Sequence, residues 1–174
     1  MLAITVNRMA AIQRASRSLR AFFIFLAVVF TLGTLNKITQ PDPRMLAGIL
    51  FQGAAITRKI QLLWIAQTVL YAALNLKILY HFIRLLGMCA QGKLFTAQNV
   101  SQLRQIGLTS ICVPVVWLMV LITAWPEISA AQDQWAKIIS SFPGGAALTG
   151  AAFLFASRIL NEGRELREEQ DLVV

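Results

Sequence analysis

The sequence predicts an all-α integral membrane protein, a four-helix bundle with both termini in the cytoplasm. Three observations carry that expectation. Hydrophobic residues make up 57% of the 174-residue chain and charged residues only 14%, with a mean hydropathy of +0.63, a balance foreign to ordinary soluble domains. The apolar residues gather into long runs, and most of the cationic residues stand between those runs. The runs are continuous rather than alternating, which favours helices over barrel strands, because backbone groups in lipid must be paired within the segment or around a closed sheet. Nothing in composition or repeat divides residues 1–174, so a single membrane domain is expected.

Four spans are predicted at about 19–35, 60–79, 107–125 and 142–160, followed by a cytoplasmic helical extension over 161–174. Each span approaches the roughly 20 residues that a helix rising about 1.5 Å per residue needs to cross a hydrocarbon core. The first span follows Arg8, Arg14, Arg17 and Arg20 but is read as a retained helix, because its apolar run exceeds a signal-peptide core and no small-x-small cleavage site precedes "NKITQPDPR". Met45 to Thr57 is apolar but short, and is expected at the membrane surface or packed on the bundle. In the third span Pro114 removes a backbone donor and predicts a kink or local break. The fourth is rich in small residues, Gly144, Gly145, Ala146, Ala147, Gly150, Ala151 and Ala152, which predicts a tight helix–helix seam.

Charge sets the expected direction. The basic N-terminus and the loop carrying Arg84, Lys93 and Arg104 contain no acid and are placed in the cytoplasm, whereas Pro126 to Ser141, with Glu127 and Asp133 against Lys137, is placed outside. Lys37, Arg44, Arg58 and Lys59 oppose this arrangement, since four spans put them outside as well. The net charge of +8 is read as orientation and attraction to anionic lipid. The expected partner is therefore the lipid bilayer, with no direct contact to nucleic acid.

Polar groups within or beside the second span, Asn75, Lys77 and His81, are candidates for a ligand or proton path. Snorkelling of Lys77 and interhelical hydrogen bonding of Asn75 are the simpler roles. Nothing predicts catalysis, a metal or a cofactor. The chain has one histidine, lacks nucleophile-elbow, phosphate-loop and zinc-protease patterns, and places no Asp or Glu inside a predicted span. Cys89 and Cys112 fit neither a disulfide framework nor a metal site.

Two polar stretches stand out against this background. In "GKLFTAQNVSQLRQIG", Thr96 is a natural N-cap and Phe95 can pack on Val100, so a helix is expected to start here and run on into the third span. At the C-terminus Arg158 and Glu162, Arg164 and Glu168, and Arg167 and Asp171 are each spaced four apart, which predicts ion pairs along a helix continuing the fourth span.

These two stretches resemble the bacterial membrane family known as domain of unknown function 2975. The first motif is carried by Gly92, Phe95, Thr96, Asn99, Leu103 and Arg104. The second is carried by Leu166, Glu168, Glu169, Asp171, Leu172 and Val174, with Val173 where a threonine is more usual. The resemblance implies four spans with both termini in the cytoplasm. It also implies a regulatory partner, because such proteins are often encoded beside small helix-turn-helix regulators. Two readings follow: a non-catalytic membrane module in the bacterial inner membrane whose loop and tail bind a small cytoplasmic DNA-binding regulator, or a small transporter, channel or toxin-immunity protein using Asn75, Lys77 and His81. A third, purely structural reading pairs Arg104 with Glu168 or Asp171. The signal sensed and the oligomeric state are not encoded in any motif.

Overall fold

The computed structural model describes residues 2–39, 58–92, 96–128 and 142–172, and these are almost entirely helical. Among the described residues four helices follow in order: α1 (Leu2–Thr39), α2 (Arg58–Ala90), α3 (Ala97–Ile128) and α4 (Gly144–Leu172). They are 38, 33, 32 and 29 residues long. At about 1.5 Å per residue, each is longer than a hydrocarbon core of about 30 Å requires. The apolar runs therefore mark only parts of these helices, because hydropathy reports the stretch suited to lipid and not the stretch that is hydrogen-bonded as helix. Two boundaries shift as a result. Arg84 belongs to α2 and not to a loop, and α3 continues past Pro126. The helix also runs unbroken through Pro114, which is buried. The surface segment expected at Met45–Thr57, Phe95, most of the loop ending at Ser141, and Val173 and Val174 lie outside the described residues.

Three of the helices are long and apolar enough to cross a membrane: α1 over Ala11–Asn36, α2 over Leu62–Ala90 and α3 over Ala97–Thr123, with mean hydropathies of 2.0, 1.5 and 2.3. The region expected as the fourth span forms the first half of α4. There Gly and Ala replace larger apolar residues and Arg158 interrupts the run, which lowers its hydropathy while permitting close packing against α3.

Neighbours in sequence are neighbours in space, since α1 packs on α2, α2 on α3 and α3 on α4. The pairs run antiparallel. Along α1 and α2, Gln13 faces Gly92, Arg20 faces Gly87 and Phe23 stacks on Phe82, so one helix climbs as the other descends. Along α3 and α4, Gly107 meets Gly150 and Trp117 meets Phe142 edge-to-face. A ring ladder joins three helices: Phe23 lies parallel to Phe82 at 5.3 Å, and Phe82 meets Phe153 edge-on at the same distance. Offset or edge-on rings at such separations add about 0.5–1.5 kcal/mol per pair beyond burial.

The distribution of polarity is that of a protein solvated by lipid. Large apolar side chains point outward on every helix, including Phe25, Leu32, Ile122, Leu148 and Phe155, all more than 60% exposed. Among the described residues the buried set includes only four hydrophobic residues, Met88, Leu103, Ile106 and Trp117, against six polar ones, Ser16, Asn99, Gln102, Thr109, Ser110 and Ser157. Water would penalise that arrangement, whereas lipid removes the drive to hide apolar surface and rewards small and polar residues at helix contacts. Hydroxyl groups within the helices donate to carbonyls of their own helix, as Thr31 does to Ala27 O and Thr34 to Phe30 O, both at 2.8 Å. Each such bond satisfies a polar group without a partner helix.

Candidate functional site

The antiparallel order brings the early part of α1, the α2–α3 turn and the second half of α4 to one end of the bundle, referred to below as the turn end. Both polar motifs lie here. α2 closes with Gln91 N–H donating to Met88 O and Gly92 N–H donating to Cys89 O, each at 3.0 Å. Gly92 has φ of 79°, in the left-handed region where glycine alone is unstrained. Gly92→Ala is expected to lower stability by about 1 kcal/mol, the cost of forcing a Cβ into that region. Gly92→Asn should cost less, because asparagine tolerates the conformation, and thermal melts of the detergent-solubilised variants compare the two. Equal melting temperatures for wild type and both variants would dismiss the backbone argument.

Beyond the turn, Asn99 N–H donates to Thr96 Oγ1 at 3.3 Å and to Thr96 O at 3.0 Å, the geometry of the expected N-cap. From this start α3 presents a single inner face. Asn99 is 2% exposed, Ile106 is fully buried, and Gln102 and Leu103 are buried with them. The first motif therefore divides. Gly92, Thr96, Asn99 and Leu103 build the turn and the packed face, whereas Arg104 is exposed.

Gln102 was not singled out in the sequence, yet its side chain links α3 to α2: its Oε1 lies 2.6 Å from His81 Nδ1. An amide oxygen only accepts, so Nδ1 carries the hydrogen in this contact. His81 is half-buried and Lys77, one turn away, is exposed, so the two do not act as a pair across the interior. Asn75 donates through Nδ2 to Tyr71 O of its own helix at 2.8 Å. Among the described residues, no group of three or more His, Cys, Asp or Glu side chains is arranged to hold a metal, and both cysteines are free.

The second motif continues α4 beyond its apolar half. Of the ion pairs expected there, Arg164 Nε lies 3.4 Å from Glu168 Oε1. Arg158 and Glu162 are both exposed and no ion pair joins them, while the side chains of Arg167, Asp171 and Leu172 lie outside the described residues. Asn161 contributes an unexpected link, donating to Glu165 Oε1 at 2.8 Å. Leu166 is 60% exposed, and Glu168 and Glu169 are exposed beside it. Arg104 makes no ion pair with Glu168 among the described residues. It lines a groove shared with Arg158 of α4.

Long antiparallel helices, an apolar exterior and a partly polar interior define a helical membrane protein. The profile of the family described as "Protein of unknown function (DUF2975)" matches residues 52–174, well over half of the chain, and the chain belongs to that family. The match takes in α2, α3, α4 and both motifs, while α1 precedes it. No curated protein and no solved structure matches the chain.

Proposed function

We propose that the protein is a non-catalytic module of the bacterial cytoplasmic membrane whose turn end faces the cytoplasm and binds a soluble partner, a small helix-turn-helix regulator of transcription. In this reading the first half of α4 is a fourth span and both termini are cytoplasmic. The observation that carries it is the exposed second half of α4. Leu166 stands open to solvent between charged residues, farther along α4 than Asn161, which lines the groove shared with α3. An apolar side chain there adds nothing to the bundle, whereas within an interface it would supply an anchor ringed by the carboxylates of Glu168 and Glu169. Arg14, Arg17, Arg20, Arg84, Arg104, Arg158 and Arg164 all lie toward the same end, in keeping with a cytoplasmic face.

The test is affinity purification of the tagged protein from membranes, together with transcription of the neighbouring genes. A small DNA-binding protein should co-purify with wild type and be lost with Leu166→Ser/Glu169→Arg, and deletion of Glu168 to Val174 should change that transcription. If no such protein co-purifies and transcription is unmoved, the reading fails. A small transporter, channel or immunity protein draws less support, because Asn75 is engaged with its own helix, His81 with Gln102, and Lys77 is exposed on the outside. Flux through reconstituted vesicles that vanished in Asn75→Ala or Lys77→Ala would reverse that preference.

A further inference from the structure

α3 and α4 approach closely at Gly107 and Gly150, and just beyond that crossing, toward the turn end, a groove of about 440 Å³ opens between them. It is lined by Val100 and Arg104 of α3 and by Leu154, Ser157, Arg158 and Asn161 of α4. Both arginines are exposed, no acidic side chain lines the groove, and no ion pair to either arginine occurs among the described residues. Two guanidinium groups so placed repel one another and jointly attract an anion. Each offers a planar fork of donors that fits phosphate oxygens.

We propose that this groove binds the phosphate group of an anionic phospholipid. Its depth in the fold argues for a lipid. Arg104 stands three residues before Gly107, where the third apolar run begins, and Arg158 two residues before Leu160, where the fourth ends. Both arginines thus lie near the end of an apolar run, from which their long side chains reach the headgroup layer by snorkelling. Val100 and Leu154 give the groove an apolar wall, and outside it the exposed Leu108 and Phe155 continue an apolar surface along which acyl chains can lie. The other polar residues are already engaged. Ser157 Oγ donates to Leu154 O at 2.7 Å and Asn161 Nδ2 to Glu165 Oε1 at 2.8 Å, so the two arginines supply the donors for the phosphate. The site is independent of the partner surface around Leu166, which lies farther along α4.

Native mass spectrometry of the detergent-purified protein, titrated separately with phosphatidylglycerol and phosphatidylcholine, tests the assignment. Wild type should retain phosphatidylglycerol in preference to phosphatidylcholine. Arg104→Gln or Arg158→Gln should weaken retention about fivefold, the factor expected for one arginine at an anionic surface, and the double variant more than either. Arg84→Gln removes an exposed α2 arginine away from the groove and should change nothing. Millimolar inorganic phosphate should fail to displace the lipid. The proposal is overturned if the double variant binds phosphatidylglycerol as wild type does, if Arg84→Gln weakens binding equally, or if phosphatidylcholine is held as tightly. Displacement by inorganic phosphate alone would overturn it in favour of a soluble phosphate ligand. Because the substituted side chains are exposed, unchanged melting temperatures are expected and separate lost binding from lost folding.

Discussion

Gly150→Val is expected to separate α4 from α3 and to lower the melting temperature of the detergent-solubilised protein, and Gly107→Val to do the same. A Cβ on Gly150 would stand 2.8 Å from Gly107 O and 3.1 Å from the backbone nitrogen of Ile111. A Cβ on Gly107 would stand 2.9 Å from Gly150 O and 2.8 Å from Leu154 Cγ. Backbone atoms cannot swing aside as a flexible side chain can, so one helix must move. Helix association in lipid relies on van der Waals contact, which declines steeply with separation, and overpacking of this kind costs about 1–3 kcal/mol. Each valine alone already forces the helices apart, so the double variant should lose less than the sum of the two. Gly33→Ala is the control. Nothing lies within 4 Å of a Cβ there, and alanine's helix propensity should leave stability unchanged or raise it by up to about 1 kcal/mol. Melting temperatures that do not move in either valine variant would refute the back-to-back contact.

His81→Leu is expected to destabilise the α2–α3 pair by about 1–3 kcal/mol, because it strips Gln102 Oε1 of its 2.6 Å partner in a buried position. Gln102→Leu should cost less, since His81 is only half-buried and its ring nitrogen can find another partner. Combining the two removes both polar groups, and the double variant should recover part of the loss. The coupling between them falls within the range measured for hydrogen bonds between membrane helices, about 0.6 kcal/mol on average and up to about 1.7. A double-mutant cycle on unfolding in detergent or bicelles reads it directly. If the two single losses simply added, the hydrogen bond would contribute nothing and the inner face of α3 would be held by packing alone.

The glycine seam ranks first because it concerns backbone atoms, for which no rotamer change offers relief. The polar link ranks second because a displaced amide or imidazole can turn toward another partner. Both features join residues from different helices, and this separates what could be read in the chain from what could not. The N-cap at Thr96 was legible because a threonine oxygen reaches only its own first turn. The tight seam on α4 was legible in kind from its Gly and Ala residues. Its partner was not, because Gly107 is one glycine in α3 and only the crossing geometry selects it. Gln102 was likewise passed over as one polar residue on a polar stretch. The opposition of Arg104 and Arg158, which the sequence paired instead with Glu168 or Asp171 and with Glu162, arises from the rotation of two helices about a contact that neither helix specifies alone.

By itself the sequence determined that this protein is helical and suited to lipid, where α3 begins, and which family it resembles. Those features follow from hydropathy, helical period and capping, which act within a turn or along one run. The tertiary structure decided that Asn99 and Leu103 face inward while Arg104 faces out, that His81 meets Gln102, and that two arginines share a groove beyond the Gly107–Gly150 crossing. Such pairings depend on the rotation and register of each helix against its neighbour. Those are fixed by how closely the backbones can approach, a property that no single helix possesses.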